Sequence, residues 1–293
     1  MSNSQNFKSP EAEAKYFSAY DDVLKLWPVP YESINIDTSF GSTHVLVSGH
    51  KDDPPIIFLH AFSASATEWY KNVSDISKEY SIYAVEIPGD LNKSVLTKSF
   101  SNRSGCVSWL SEVMNELNID KAVFVGHSYG GWFTLNFSLL APDRVSRAIL
   151  LAPARTFGPT RNEFYIRALA MQLVPCRFFT ESFLSWASAK GYKTDEEVIN
   201  LFFEGMRAFN FAKNFVNIVQ PTVFTDNELK NINVPVLLLM GEQENLQDPF
   251  KAVERARKLM KNIHAEIIPD AGHSLNREQS IKINQLILKF IKE

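Results

Sequence analysis

From Glu11 to Leu26 apolar residues recur at helical spacing (Ala14, Phe17, Val23, Leu24), and Pro28 and Pro30 stop the pattern just after Trp27. The chain is therefore predicted to open on an amphipathic helix. Ser33 to Phe40 and Thr43 to Val47 then alternate apolar and polar positions across Gly41-Ser42, the pattern of a β-hairpin. From Pro55 the rhythm changes. Ile56–Leu59, Ser81–Ile87, Ala122–Val125 and Val145–Leu151 are apolar strand-like runs, and helical patterns at Ala66–Lys78, Arg103–Leu117 and Gly131–Leu140 alternate with them. Apolar strands flanked by amphipathic helices imply an α/β fold with a mostly parallel sheet covered on both faces.

Between Ala154 and Asn231 the strand signal disappears. Helical stretches thick with aromatic residues take its place: Phe164, Tyr165, Phe178, Phe179, Phe183, Trp186, Phe202, Phe203, Phe209, Phe211 and Phe215. At Val234–Met240 the strand rhythm returns, Asp248-Pro249 reads as the cap and first residue of a helix to about Met260, and a last strand, Ala265–Ile268, precedes a final helix from about Arg277. The expected organisation is a first sheet segment over 1–153, an all-helical insertion over 154–231 and a second sheet segment over 232–293. An insertion at that point sits above the C-terminal edge of the sheet, where open α/β sheets bind ligands. Most of its aromatic residues should pack its own core, and a minority should face down into an apolar pocket.

Composition narrows the class of protein. A chain of 293 residues, 45% of them hydrophobic, can bury a large core. A net charge of −3 points to neither nucleic acid nor an anionic membrane as partner. Two cysteines, Cys106 and Cys176, are too few for a disulfide framework and are expected as buried thiols in helices. The polar stretch Met1–Pro10 carries no signal-peptide pattern, and no apolar run approaches the roughly 20 residues that span a bilayer. A cytoplasmic location is the expectation.

The chemistry starts where the third apolar run ends, at Gly126-His127-Ser128-Tyr129-Gly130. Strand, Gly-x-Ser-x-Gly, then helix is the order that a nucleophile elbow requires. The sharp turn exposes the Ser128 hydroxyl at the top of the sheet, and the helix behind it aims its dipole and the Tyr129 N–H at any oxyanion formed there. A serine hydroxyl needs a base. Of six histidines, His44 and His50 lie in the hairpin region, His264 precedes the last strand, and His127 is inside the elbow. His273, in Gly272-His273-Ser274 after the last strand, can reach the same sheet edge as Ser128. The orienting acid should end the strand before it, where Glu242, Glu244 and Asp248 compete. Asp248 is better explained as a helix cap, so Glu244 is preferred and Glu242 is the alternative. A second oxyanion donor is expected from the Phe62 N–H in His60-Ala61-Phe62-Ser63, the loop after the first apolar run. His60, Trp132 and Arg155 are further candidates for contact with substrate. No metal or organic cofactor is expected.

With Gly126-His-Ser128-Tyr-Gly130, a late acid and Gly272-His273 in that order, the chain resembles the α/β-hydrolase superfamily. More narrowly, it resembles the cap-bearing, single-chain microbial serine hydrolases and esterases. The resemblance runs from about Ile34 to Ile291. His60-Ala61-Phe62 occupies the place of the family's His-Gly-x oxyanion motif, and Pro88-Gly89 with Ser94 that of its Pro-Gly-x-Gly-x-Ser loop. Gly241-Glu242-Gln243-Glu244 aligns with Gly-x-x-Asp, which carries the acid role to Glu244, and Asp270-Ala271-Gly272-His273 matches the histidine motif. Ala61, Asp90–Lys93 and Glu244 depart from the commoner residues. The resemblance implies an eight-stranded, mostly parallel sheet with a helical cap. It also implies hydrolysis of a small to medium, largely apolar ester through an acyl-enzyme, with amide, lactone or carbon–carbon bonds as alternatives. A ligand-binding or signalling protein on the same fold is the competing class.

Overall fold

The computed structural model describes residues 6–211 and 218–293, and the expected Phe215 lies outside them. Helix α1 (Pro10–Leu24) starts where Ser9 accepts a hydrogen bond from the Ala12 N–H and Pro10 takes the first helical position. The hairpin follows as β1 (Glu32–Thr38) and β2 (Gly41–Ser48), paired antiparallel. The remaining strands are β3 (Pro55–Leu59), β4 (Ser81–Val85), β5 (Val95–Leu96), β6 (Ala122–His127), β7 (Val145–Leu151), β8 (Val236–Gly241) and β9 (Ile263–Ile268). Their order across the sheet is β1-β2-β4-β3-β6-β7-β8-β9. This is the eight-stranded path expected, with the two-residue β5 added against β2. From β4 onward every neighbouring pair on the path is parallel. All residues of β6 and β8 are buried, which a strand achieves only with cover on both faces.

Two helices differ from expectation. The Ala66–Lys78 pattern folds as a 3-10 turn (Ala66–Trp69) and a single α-turn, α2 (Val73–Ile76). Asn72 sits at the break, and its buried side chain donates to the Asn276 carbonyl at 3.0 Å and to Asn284 Oδ1 at 2.8 Å. The helix is interrupted where that side chain ties it to the C-terminal segment. The last helix likewise splits, into Leu275–Glu278 and Ser280–Lys292.

Arg103–Glu116 (α3) and Tyr129–Leu140 (α4) pack together beside the sheet. Between β7 and β8 the described residues form α5 (Asn162–Leu173), α6 (Arg177–Ala187), α7 (Glu196–Ala208) and a short turn at Asp226–Lys230, with no strand. Helix α1 also packs on α7, and Lys8 donates its backbone N–H to the Ala208 carbonyl at 2.8 Å. The N-terminal helix, expected with the first sheet segment, therefore shares its surface with the helical insertion. Cys106 is buried in α3, where burial pushes its thiol up to about 12. Cys176 is half-buried and caps α6 instead of lying within a helix.

Candidate active site

Register fixes which strand ends meet. Leu59 pairs with Gly126, His127 with Leu151, and Gly241 with Ile268, so the loops after β3, β6, β7, β8 and β9 open on one edge of the sheet. Ser128 tops β6 with φ 49° and ψ −109°, a backbone state that L-residues avoid unless the surroundings impose it. They do so here. The Ser128 N–H donates to the Leu151 carbonyl at 2.9 Å, and its own carbonyl accepts from the Trp132 and Ala154 N–H groups at 3.1 and 2.9 Å. A Cβ on Gly130 would fall 2.0 Å from the Leu59 carbonyl oxygen, so only glycine lets the elbow lie this close to β3.

His273 follows β9, and its Nδ1 donates to Glu244 Oε2 at 2.6 Å. Glu244 is buried, and its other oxygen accepts from the Leu246 N–H at 2.7 Å. Burial opposes a charged His273, but the facing Glu244 carboxylate outweighs it and holds the imidazole above its ordinary value. The competing carboxylates lie elsewhere. Glu242 is exposed, and Asp248 accepts from the Lys251 N–H at 3.1 Å as the cap of Pro249–Leu259. Ser128 and His273 line one cavity, and no hydrogen bond joins the Ser128 hydroxyl to His273 among the described residues. Unliganded sites are often loose at this step.

The loop after β3 is held by two buried carboxylates. The Ala61 N–H donates to Glu68 Oε2 at 2.8 Å, and the Ser63 N–H to both oxygens of Asp90 at 3.0 and 2.9 Å. Burial pushes the Asp90 carboxyl up to about 8, against the pull of the Leu91 and Ser63 N–H groups. Among the described residues the intervening Phe62 N–H has no partner, and neither has the Tyr129 N–H. Both residues line the cavity, with their rings 5.9 Å apart.

The cavity encloses about 520 Å³, a common size for a small-molecule site. Its far wall comes from the helices. Phe164, Tyr165, Phe183, Phe202 and Phe211 face it, whereas Phe209 packs in the core and Phe178 is exposed. Val23 of α1 also reaches the wall, a contribution that nothing in its helical pattern signalled.

Arg155 lines the cavity. It adopts φ 48°, donates to the Tyr165 hydroxyl at 3.2 Å and leaves its Nε buried without a partner among the described residues. His60 and Trp132, expected near substrate, are not on the wall. His60 is fully buried, donates from Nδ1 to the Ala61 carbonyl at 2.8 Å and accepts the Ile87 N–H on Nε2 at 2.9 Å; burial also lowers its basicity. Trp132 is fully buried and donates to the Thr222 carbonyl at 3.1 Å. His264 lies inside β9, exposed, on Glu266. No group of three or more His, Cys, Asp or Glu side chains placed to hold a metal ion occurs among the described residues. No helix among them is long and apolar enough to cross a membrane.

A mostly parallel sheet, a serine on a strained strand–helix turn and a His–Glu pair on the last two strand ends define a class, and sequence comparison agrees with it. The chain belongs to the α/β hydrolase family, whose model matches residues 56–284. It is 39% identical over 288 residues to the uncharacterized carboxylesterase nap of Bacillus subtilis, covering 94% of this chain and 92% of that protein. It is 36% identical over 293 residues to carboxylesterase YbfK of the same organism, covering 99% and 98%. The crystal structure of naproxen esterase from Bacillus subtilis superposes with a TM-score of 0.92 at 37% identity, over 97% of this chain and 99% of that one.

Proposed function

We propose that this chain is a serine-dependent carboxylic ester hydrolase, with residues 154–231 acting as a lid over the sheet segments 1–153 and 232–293. The observation that carries this reading is the 2.6 Å His273–Glu244 pair opening on the same apolar cavity as the strained Ser128. Similarity to proteins named carboxylesterases supports it. In this reading His273 takes the Ser128 proton as Oγ attacks the ester carbonyl, and Glu244 stabilises the imidazolium that forms. The N–H groups of Phe62 and Tyr129 receive the oxyanion. His273 then protonates the leaving alcohol, and water activated by the same ring releases the acid and restores Ser128.

The apolar helices favour small to medium acyl or alcohol groups, and Arg155 is a cation on the cavity wall able to meet a carboxylate carried by the substrate. A fluorophosphonate should add once to the wild type and not to Ser128→Ala, both followed by intact mass, before a chain-length series of chromogenic esters is run. A folded protein that takes no label would overturn the reading in favour of a ligand-binding role.

A further inference from the structure

His127 lies inside the elbow, and its ring meets two other parts of the site. Its Nδ1 is hydrogen-bonded to Glu68 Oε1, and its Nε2 lies 2.8 Å from the His273 carbonyl oxygen. A carbonyl only accepts, so Nε2 carries hydrogen. Burial alone would raise the Glu68 carboxyl, but the His127 ring, the Arg277 guanidinium and the Ala61 N–H bring it down to about 2. Glu68 is 7% and His127 2% exposed, so losing either side chain leaves buried polar atoms of the other unpaired. The second oxygen of Glu68 holds the Ala61 N–H.

The His273 peptide is gripped from the opposite side as well, its N–H donating to the Ala187 carbonyl at the end of α6 at 2.8 Å. Its neighbours Gly272 and Ser274 donate their N–H groups to Glu278 at 2.6 and 3.1 Å. The His273 carbonyl is thus the point at which the β6 and β3 loops take hold of the β9 loop.

We propose that Glu68 and His127 are positioning residues that couple the oxyanion loop to the general base. Through one buried hydrogen-bonded pair, they fix the Ala61–Phe62 backbone relative to the His273 backbone. This rests on His273 acting as the base of the proposed hydrolase. The two side chains lie 59 positions apart in the chain, and the pair joins three strand-end loops, adding to the Gly130 N–H that donates to the His60 carbonyl at 3.0 Å. Placement errors near 1 Å in such a constellation cost about a hundredfold in rate.

Removing one partner leaves the other buried and unpaired and endangers folding, so the decisive variant is the double Glu68→Met/His127→Leu. Active sites are counted by fluorophosphonate titration, and kcat is expressed per titrated site, which removes any misfolded fraction. The expected result is a folded protein whose kcat per site falls tenfold or more while KM stays within about twofold. A double variant with wild-type kcat per site overturns the proposal. The second readout is ring-nitrogen NMR of the wild type labelled with ¹⁵N-histidine. The His127 ring should show hydrogen on Nε2, held by the His273 carbonyl, with that signal lost in the double variant; a His127 whose Nε2 carries no hydrogen overturns the proposal. The NMR measurement does not depend on turnover. A Ser128→Ala protein that keeps full activity would overturn the hydrolase reading and is thereby told apart from failure of the coupling.

Discussion

The two walls of the cavity are built by opposite means. On the sheet side the backbone is held in conformations it does not prefer. Of the six non-glycine residues with left-handed φ among the described residues, five (Ser63, Ser128, Ala152, Arg155 and Asp270) stand on the loops at this one edge, at roughly 1–3 kcal/mol each. Buried carboxylates, carbonyls and rings pin those loops. On the helix side α5, α6 and α7 contribute regular backbone and apolar side chains, and they leave Ile166, Leu169, Leu173 and Phe178 exposed. Strain gathers where atoms must be placed to fractions of an ångström, and among the described residues the helices α5, α6 and α7 carry no left-handed φ. Substitutions on the sheet side should therefore act on kcat, and substitutions on the helix side on KM.

The sharpest test is Ser128→Ala, which should lower kcat by about five to six orders of magnitude and leave the melting temperature unchanged in differential scanning calorimetry. Glu244→Gln comes next. Loss of the carboxylate that orients His273 should reduce kcat by about 10⁴ with KM nearly constant, measured on one good ester. On the opposite wall Phe183 and Phe202 stack with ring centroids 5.9 Å apart. Phe202→Ala should raise KM about tenfold for bulky acyl groups, the usual worth of one or two methylenes in an apolar pocket, with kcat held within a factor of about two. A kcat loss like that of Glu244→Gln would break the division between the walls.

The smallest effect is on pH dependence. His273 must be neutral to accept a proton, and Glu244 holds it above 6.5 against the opposing effect of burial. The acid limb of kcat/KM should therefore lie above pH 6.5, and a limb below that value would show that Glu244 does not act on the ring. The stability linked to this group runs in the opposite direction. A raised folded pKa contributes stability below the unfolded value and loses it as pH rises through the folded one.

Much of this architecture was legible in the chain because it is written locally. Gly126-His127-Ser128-Tyr129-Gly130 specifies its turn by the absence of Cβ atoms at two positions, and the apolar runs of β3, β6, β7 and β8 specify burial on both faces. What local pattern could not carry was anything decided by distant partners. Three carboxylates follow β8, and only the turn after Gly241 determines that Glu244 is the one to meet His273. Glu68 falls in the Ala66–Lys78 pattern expected as one helix, whereas it lies in a 3-10 turn against a histidine on another strand. His60 sits at a strand end beside the site, yet its ring is used up on the backbone around it. The β5 strand is too short to leave a pattern, and Val23 reaches the cavity only because α1 docks on α7.

The order of the strands also has a kinetic consequence. Ser128 rides on β6 near the middle of the sheet, whereas His273 follows β9, the outermost strand. At ordinary rates of synthesis the chain carries its serine for roughly ten to thirty seconds before the histidine exists. The segment that follows, pinned to Asn72 through Asn276 and Asn284, closes long-range contacts that are slow to form. In the proposed mechanism a nascent or C-terminally clipped chain carries its nucleophile without its base, and reactivity appears only when the last edge of the sheet has docked.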